Sequence, residues 1–598
     1  MSVTVSCLFL FYWPSAATGS ALKNQKLSFY GRGQAKSNLR SSTLDENRRW
    51  PTSVPYLLDS SLGVHAKGII LQAFEQFRLK TCIDFSPRIN EDYFIDIQKQ
   101  SGCYSYVGKV FSGGQTVSIG LGCAFVDIVE HELLHALGFY HEQSRYDRDD
   151  HVTIVWNNII EGYANNFNKV SEEYSSLLNT SYDYTSVMHY DGYAFTNGNG
   201  STILTKNPEF QDVIGKSVEM SSTDALELNR LYHCNVSVSF LEHCSFDDEG
   251  LCELAVCSRG SSGWERVNRA DGGPHSDHTR LGTDSEGEEG DSTRLITRRM
   301  TPSTPCQIQC LQFYYYYSGN ETDQLNIWIR EFDSEEDVQG TRMLMGQITG
   351  SPADYWQIHH VPLNATKTFQ VEFEGRKGAG SSGGGFSVDD INLSETECPH
   401  QTWQIRNFEE LLNTSAYDTI IYSPRYYSRD GYGYQYLVIL RTTFFGLYVR
   451  LVSGDYDEQL EWPLAWRQFQ ALMVDQNPHM QQRMSKPQSL TTDPAAMNNW
   501  RFMNLDDLRK RDFLKGGDAV FSFVMQDIRP LFTNNSLPCT GIPQQNFTSV
   551  PEDSDYSCSR VIRATTPTTP TTTMTTTTIT TTTSTTNPDT EGPDVDGK

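Results

Sequence analysis

One stretch of eleven residues, 131–141, constrains this 598-residue chain more than any other. It reads His-Glu-Leu-Leu-His-Ala-Leu-Gly-Phe-Tyr-His. Side chains four positions apart on a helix lie on the same face, about 5–6 Å apart, so His131 and His135 are placed to bind one metal ion. Zn²⁺ prefers nitrogen ligands at about 2.0–2.1 Å, and three protein ligands leave a coordination position open for water.

The remaining residues of the motif complete a reactive metal site. Glu132 is one step around the helix from His131, so we predict that its carboxylate lies beside the metal and accepts a proton from water. Gly138 is able to adopt a positive φ and end the helix, after which the chain turns back and supplies His141 as the third ligand to one Zn²⁺. The alternative is a core helix with hydrogen-bonded histidines, which would bury imidazoles where leucine packs better.

Length, net charge and glycosylation sequons indicate the kind of protein that carries this motif. A chain of 598 residues is too long for one hydrophobic core and predicts about four domains. The net charge of −26 argues against nucleic acid as a partner, because the phosphates would repel the chain. Nine Asn-x-Ser/Thr sequons favour secretion. They begin at Asn179, Asn199, Asn235, Asn320, Asn364, Asn392, Asn413, Asn534 and Asn546.

The beginning of the chain has the features of a secretory leader. Residues 3–13 are apolar and precede small residues, which predicts a signal peptide over residues 1–19, although no Lys or Arg precedes the apolar run. Residues 20–40 are polar and basic and are interpreted as a pro-segment. No later stretch reaches the ~18 apolar residues of a membrane span, so we expect a secreted chain without a transmembrane segment.

A second motif narrows the class of metal site. Residues 186–190 read Ser-Val-Met-His-Tyr, and together with the first motif they follow the metzincin pattern. Residues 138–149, which extend the first motif, resemble the astacin family specifically. This resemblance implies an α+β zinc protease domain over residues 41–236. It also implies that Met188 is a hydrophobic floor beneath the metal and that Tyr190 stabilises the oxyanion during turnover.

The resemblance also implies how the chain is activated. In astacins an N-terminus released by cleavage is buried against the glutamate that follows the third ligand, which is Glu142 here. We predict cleavage after Arg40 by a trypsin-like protease, with Arg48 and Arg49 as alternatives. The family's latency segment carries an Asp that occupies the zinc. Residues 29–33 read Phe-Tyr-Gly-Arg-Gly without that Asp, so either latency works differently or this segment is altered.

Two further residues of the protease domain carry open interpretations. Arg230 lies in a region that lines the S1′ pocket of relatives, where it would favour acidic residues after the scissile bond. The alternative is an ordinary exposed arginine. His189 is not a ligand in the family pattern, and we predict a packed or hydrogen-bonded histidine.

Two β-sandwich domains are expected after the protease. Alternating runs at residues 310–314, 324–331 and 386–391 predict antiparallel strands and resemble a MAM domain over residues 240–398. Residues 277–291 are shorter and more acidic than the matching MAM segment. Runs at 403–408, 422–424, 434–440 and 511–514 resemble a MATH (TRAF-like) domain over 400–527. Astacin, MAM and MATH in this order resemble the architecture of the meprins, which implies homo-oligomers assembled through MAM and MATH.

The cysteine pairs are implied by these resemblances rather than by spacing. Cys257 and Cys306 are left over and either pair together or bridge to another chain. We predict a tail without fixed structure over residues 528–598, in which Cys539 and Cys558 close a small loop and a Thr-rich run forms an extended stalk. The implied pairs are Cys82 with Cys234, Cys103 with Cys123, Cys244 with Cys252, and Cys310 with Cys398.

These features predict a secreted, meprin-like zinc metalloendopeptidase that is made as a zymogen and cuts proteins and peptides. We expect a strand near residues 116–120 to bind the substrate in extended form by edge pairing. One alternative is an adhesive glycoprotein that assembles through MAM and MATH and carries an inactive protease domain. Another is a chain in which the shortened MAM and MATH segments do not fold and only the protease does.

Overall fold

The computed structural model shows three successive folded domains, in the order that the sequence predicts. The protease domain is α+β, and the two domains that follow are antiparallel β-sandwiches. The fold class predicted from the sequence is therefore confirmed. The structure describes residues 42, 45–247, 252–259, 264, 274, 278, 292–379, 384–462, 464–492, 502–542, 545–550 and 556–559.

The protease domain is built on a five-stranded sheet with three helices. The strand order is β2-β1-β3-β5-β4, with β4 antiparallel to its neighbour, and β6 and β7 form a separate antiparallel pair. The elements are β1 (Ser53–Leu58), α1 (Val64–Lys80), β2 (Asp84–Pro87), β3 (Ile95–Gln98), β4 (Cys103–Ser105), β5 (Gln115–Ile119), α2 (Val126–Ala136), β6 (Val152–Ile154), β7 (Ile203–Thr205) and α3 (Ser222–Leu231).

The core of this domain lies between the sheet and the helices α1 and α2. The apolar residues of α1 recur at helical spacing, and Ile70, Ala73 and Phe77 are fully buried against the sheet. Leu133 and Leu134 of α2 are buried in the same core. The packing of α2 against α1 and against the strands β4 and β5 fixes the helix that carries the metal motif.

The strand predicted to bind substrate is an interior strand. Over residues 117–118, β5 pairs with β3 on one side and with β4 on the other, so its backbone groups are already bonded there. The prediction that residues 116–120 accept an extended peptide is therefore wrong. The sheet ends on this side at β4. The sequence did not distinguish β4 from β5 because both strands are short.

The MAM region is a sandwich of two antiparallel sheets. One sheet has the order β13-β12-β15-β10-β9 and the other β14-β11-β16-β8. Leu325, Ile327 and Ile329 alternate along β12 and are fully buried between the sheets, as period-2 patterning predicts. The strands are β8 (Phe240–Cys244), β9 (Ala255–Arg259), β10 (Ser292–Ile296), β11 (Gln309–Tyr317), β12 (Gln324–Phe332), β13 (Thr341–Ile348), β14 (Ala353–Leu363), β15 (Thr368–Arg376) and β16 (Phe386–Ser394).

The MATH region is a second sandwich with an aromatic core. Its sheets are β17-β25-β22-β23 and β18-β20-β21-β24, and β19 also pairs with β20. Phe521 and Phe523 of β25 pack against Tyr436 and Phe445 of the opposite sheet. The elements are β17 (Gln401–Ile405), α4 (Phe408–Thr414), β18 (Ile420–Tyr422), β19 (Tyr426–Tyr427), β20 (Gly433–Leu440), β21 (Phe444–Leu451), β22 (Arg467–Met473), β23 (Lys486–Thr491), β24 (Met503–Asn504), α5 (Leu505–Leu508) and β25 (Ala519–Asp527).

The chain after β25 is ordered where we predicted a tail without fixed structure. A 3₁₀ turn at Arg529–Phe532 places Leu531 in a small cluster with Val64 of α1. The Tyr56 hydroxyl donates to the carbonyl of Asn535 at 2.7 Å. A final strand, β26 (Ser557–Ser559), pairs with β9 of the MAM sheet. The prediction fails over the described part of 528–559 because these residues pack against two domains that precede them.

Two disulfide predictions are corrected by the same segment. Cys558 lies opposite Cys257 in the pairing of β26 with β9, and the two are bonded. Cys539 is bonded to Cys306. The predicted Cys539–Cys558 loop is therefore wrong. Both interpretations of Cys257 and Cys306 are wrong as well, because these residues neither pair with each other nor bridge to another chain. Every cysteine in the part of the chain that the structure describes is paired within the chain.

The other cysteines form the pairs that the family resemblances imply. Cys82 is bonded to Cys234 and Cys103 to Cys123 in the protease domain. Cys244 is bonded to Cys252 and Cys310 to Cys398 in the MAM domain.

Several predictions fall outside the described residues. These are the signal peptide, the pro-segment with residues 29–33, the acidic segment 277–291 apart from His278, and the Thr-rich run. Over the described ranges, no helix is both long enough and apolar enough to cross a membrane.

Candidate metal centre

The helix α2 presents two imidazoles in a fixed orientation. His131 Nδ1 lies 2.8 Å from the carbonyl oxygen of Val187, and His135 Nδ1 lies 2.7 Å from that of Phe139. A carbonyl only accepts hydrogen bonds, so each Nδ1 carries the proton and each Nε2 keeps a lone pair for a metal. Burial lowers the pKa of His135 to about 4, which keeps this ring neutral at physiological pH.

The end of α2 brings the third imidazole to the other two. Gly138 has a φ of 113°, and the chain turns there as predicted. His141 Nε2 then lies 3.2 Å from Nε2 of His131 and 3.2 Å from Nε2 of His135. Nitrogens bound to one tetrahedral zinc at 2.0–2.1 Å are about 3.3 Å apart, so the three residues fit the ion. Within the described part of the chain, this is the one cluster of metal-binding side chains.

Residues 186–190, which we call the Met188 turn, are hydrogen-bonded to His131 at the start of the metal motif and to Glu142 just after its end. The carbonyl of Val187 orients His131, and the carbonyl of Met188 accepts the Glu142 N–H at 3.1 Å. Met188 itself is buried in the protease core. The turn is held from below by Asp224 of α3, whose carboxylate accepts the Ser186 hydroxyl at 2.6 Å and the Val187 N–H at 2.9 Å.

Glu132 and Tyr190 lie next to the imidazoles. Glu132 is 2% exposed and follows His131 on the buried side of α2. The Tyr190 ring lies 4.3 Å from the His141 ring, centroid to centroid. The backbone N–H of Tyr190 donates to Gln143 Oε1 at 3.0 Å. This hydrogen bond fixes the backbone at Tyr190.

His189 is a packed and hydrogen-bonded residue, as predicted. Its Nε2 lies 2.7 Å from the Tyr182 hydroxyl and its Nδ1 lies 2.7 Å from the Tyr190 carbonyl. Burial lowers its pKa to about 4. Both ring nitrogens are occupied, so the ring fixes the turn and offers no ligand atom.

Glu142 belongs to a buried cluster of acids around one cation. Its Oε1 accepts the Asp183 N–H at 2.8 Å and lies 3.3 Å from Arg145. Arg145, which is 1% exposed, also pairs with Asp147 at 2.9 Å and Glu227 at 3.3 Å. Burial and the neighbouring Glu227 carboxylate raise the pKa of Glu142. The single guanidinium of Arg145 pairs with three carboxylates. The cluster therefore contains more acidic groups than cations, and a second positive charge would be favourable there.

The protonation of Glu227 should make the stability of the protein depend on pH. Burial raises its pKa from the ordinary 4.5 to about 7, so the folded chain binds a proton that the unfolded chain has released. This stability is complete below about pH 4.5 and is lost as the pH rises through 7. We expect Glu227→Gln, which is neutral at every pH, to flatten the fall in the free energy of unfolding between pH 5 and 8 by about 2 kcal/mol. Urea unfolding of both chains at several pH values measures it, and parallel curves would contradict the shift.

Arg230 is bonded to backbone on the surface of α3. Its Nη1 donates to the carbonyls of Leu178 and Asn179 at 2.8 and 2.7 Å. The side chain is exposed. The guanidinium therefore holds the 178–179 loop, and its remaining donors are available on the same surface.

Sequence reasoning missed the residues that support the site. Gln143, Arg145 and Asp224 hold the Tyr190 backbone, the acid cluster and the Met188 turn. Only Asp224 carried a readable signal, because Ser221-x-x-Asp224 is a capping-box pattern and both of its reciprocal hydrogen bonds are present.

Three imidazoles on a helix and its following turn, with a glutamate beside them, define a zinc peptidase of the metzincin class. Comparison with known proteins places the chain within that class. The sequence matches the Astacin peptidase family over residues 42–233, MAM domain, meprin/A5/mu over 244–399 and MATH domain over 400–525. The chain belongs to the astacin family and has the domain order of the meprins.

Two meprin subunits agree with this assignment. The chain is 43% identical to Meprin A subunit beta of Homo sapiens over 540 residues, which cover 83% of this chain and 76% of that protein. It is 40% identical to Meprin A subunit alpha of Rattus norvegicus over 472 residues, which cover 76% of this chain and 62% of that protein. Among solved structures it is similar to High choriolytic enzyme 1, a hatching enzyme zinc-protease of Oryzias latipes, with 40% identity and a TM-score of 0.30 over 32% of this chain and 97% of that chain.

Proposed function

We propose specific roles for the residues of the metal centre in this zinc metalloendopeptidase. His131, His135 and His141 hold Zn²⁺, which when bound polarises the scissile carbonyl and lowers the pKa of water. Glu132 accepts the proton of the attacking water and passes it to the leaving amine. The observation that carries this proposal is that His141 Nε2 lies 3.2 Å from Nε2 of both His131 and His135, with Glu132 buried beside them.

Tyr190 is proposed to stabilise the oxyanion. Its ring packs against the ring of His141, the third ligand, which supports this role. A phenol is a neutral hydrogen-bond donor, and donors aimed at developing negative charge are worth roughly 10²–10³ in kcat. Met188 is proposed as the apolar floor of the site, in agreement with its burial.

The substrate is proposed to bind along β4. This strand ends the five-stranded sheet and contacts α2. An extended peptide is able to add to such an edge through main-chain hydrogen bonds. That arrangement presents the peptide backbone beside the helix that carries His131 and Glu132.

Activation is proposed to follow cleavage after Arg40. Ser42 is 1% exposed, forms an antiparallel bridge with Phe139 and donates its hydroxyl to the Ser176 carbonyl at 3.1 Å. Cleavage at Arg48 or Arg49 would detach this buried residue, whereas cleavage after Arg40 retains it. The released ammonium would add the positive charge that the acid cluster at Glu142 accommodates.

Arg230 is proposed as a determinant of the S1′ preference. We expect peptides with Asp after the scissile bond to be cleaved about tenfold faster than Ala peptides, and Arg230→Gln to reduce that ratio. Paired kcat/KM values for the two peptides measure it. An unchanged Asp/Ala ratio in Arg230→Gln would leave Arg230 with only the loop-holding role seen in its two backbone bonds.

We also propose that the chain is secreted and glycosylated, with the signal peptide at 1–19, the pro-segment at 20–40 and domains at 41–236, 240–398 and 400–527. Asn392 is an exception among the sequons, because its amide is fully buried and bonded to the Pro478 carbonyl and the Met480 N–H. Homo-oligomers would assemble through MAM and MATH without a bridge from Cys257 or Cys306.

The proposed function is tested with the expressed full chain. After trypsin treatment and inhibition of the trypsin, the chain should hydrolyse an unfolded protein, whereas the untreated chain should not. Mass spectrometry should find an N-terminus at residue 41. Absence of hydrolysis by a zinc-loaded, cleaved chain would contradict the proposal.

A further inference from the structure

Lys80, the last residue of α1, is a buried cation at the boundary of two domains. It is 3% exposed, and its Nζ donates to the Met220 carbonyl at 3.2 Å and the Arg483 carbonyl at 2.7 Å. The same Nζ lies 3.5 Å from Glu219 Oε1. A buried ammonium is costly unless it is paired and hydrogen-bonded. Two of its partners belong to the protease domain and one belongs to the MATH domain.

The MATH partner lies in residues 475–485, which we call the junction loop. The Asp475 carboxylate accepts the Met484 N–H at 2.9 Å, and the Ser485 hydroxyl accepts the Asp475 N–H at 3.0 Å. These bonds fix the backbone on both sides of Arg483. The Ser485 N–H then donates to Glu219 Oε1, so the junction loop binds Lys80 and its counter-ion together.

On the protease side, residues 219–221 connect Lys80 to both halves of the metal centre. The Met220 N–H donates to Glu130 Oε2 at 2.5 Å, and Glu130 directly precedes His131 on α2. Ser221 caps α3 reciprocally with Asp224. Asp224 in turn holds the Met188 turn, from which the Val187 carbonyl orients His131. A displacement of residues 219–221 therefore reaches the metal helix by two separate routes.

We propose that Lys80 is a positioning residue for the peptidase reaction. By fixing residues 219–221 against the junction loop, it sets the placement of α2 relative to the Met188 turn. The proposal rests on the assignment of the three imidazoles as the catalytic centre. Misplacement of a reacting group by about 1 Å costs up to roughly 10²-fold in rate. The effect should appear in kcat and not in KM, because no group that contacts substrate is removed.

The test compares buried lysines of the same helix in the activated full chain. Lys80→Met with Glu219→Gln removes the ammonium and its counter-charge together, and the glutamine still accepts the Ser485 N–H. We expect kcat about tenfold lower, KM within twofold and one zinc per chain. The matched control is Lys67→Met, since Lys67 is also buried on α1 but donates to the Leu531 carbonyl. It should retain the kcat of the unmodified chain.

Three results would overturn the proposal: an unchanged kcat in the double variant, a loss confined to KM, or an equal loss of kcat in Lys67→Met. If the double variant does not fold, the kcat of the single variant Glu219→Gln tests the proposal. That change weakens the hold on Lys80 and should lower kcat about threefold, whereas an unchanged kcat would count against the proposal. Glu132→Ala is assayed in parallel to separate the Lys80 proposal from the catalytic assignment of the metal centre. Activity in Glu132→Ala would contradict the catalytic assignment, whatever the results for the Lys80 variants.

Discussion

Replacing Glu132 by Ala should leave one zinc ion per chain and lower kcat by roughly 10²–10⁴-fold, the contribution of a positioned general base. The three imidazoles do not depend on Glu132, because His131 and His135 are oriented by the carbonyls of Val187 and Phe139. Metal analysis and hydrolysis of a quenched peptide by the activated variant measure the two quantities.

The control for this prediction is Glu161→Ala, which removes an exposed carboxylate of the same domain. It should behave as the unmodified chain in both assays. Wild-type activity in Glu132→Ala would show that Glu132 is not the general base. Loss of zinc in Glu132→Ala would instead show that the carboxylate is required to form the site.

The second large effect concerns activation. In Arg40→Gln, trypsin should no longer create the N-terminus at residue 41, and activity after trypsin treatment should be about 100-fold below that of the treated unmodified chain. The physical reason is that the acid cluster of Glu142, Asp147 and Glu227 around Arg145 would lack the extra positive charge, and a buried carboxylate left without a counter-charge costs roughly 3–5 kcal/mol.

Arg48→Gln with Arg49→Gln is the matched control, since these were the alternative cleavage points. This variant should be activated normally, and mass spectrometry should again find residue 41 at the N-terminus. Normal activation of Arg40→Gln, with a new N-terminus after residue 48 or 49, would reverse the assignment.

The parts of the site that could be predicted from sequence are the local ones. His131 and His135 are one helical turn apart, and Gly138 provides the positive φ that returns the chain to His141, so the ligand set follows from spacing alone. The strand pattern of the MAM domain was readable for a similar reason, because the apolar residues Leu325, Ile327 and Ile329 alternate with polar or amphipathic residues on the other face of the strand.

The missed features all depend on contacts between distant segments. Cys257 and Cys558 are 301 residues apart and meet because β26 joins the edge of β9. The order of β4 and β5 in the sheet is set by pairing across the domain and not by either strand's composition. Lys80 reads as an ordinary helix terminus, and it becomes a buried cation through contacts with residues 219–220 and with the junction loop, which are distant in sequence.

Zinc occupancy measured together with peptidase activity decides whether the three imidazoles hold the catalytic metal. The activated chain is depleted of metal with a chelator and reloaded with substoichiometric Zn²⁺, and both quantities are read on each sample. We expect activity to be absent without zinc and to rise in proportion to occupancy until one ion is bound per chain. Activity that persists in the metal-free chain, or that stays absent when one zinc is bound, would contradict this expectation.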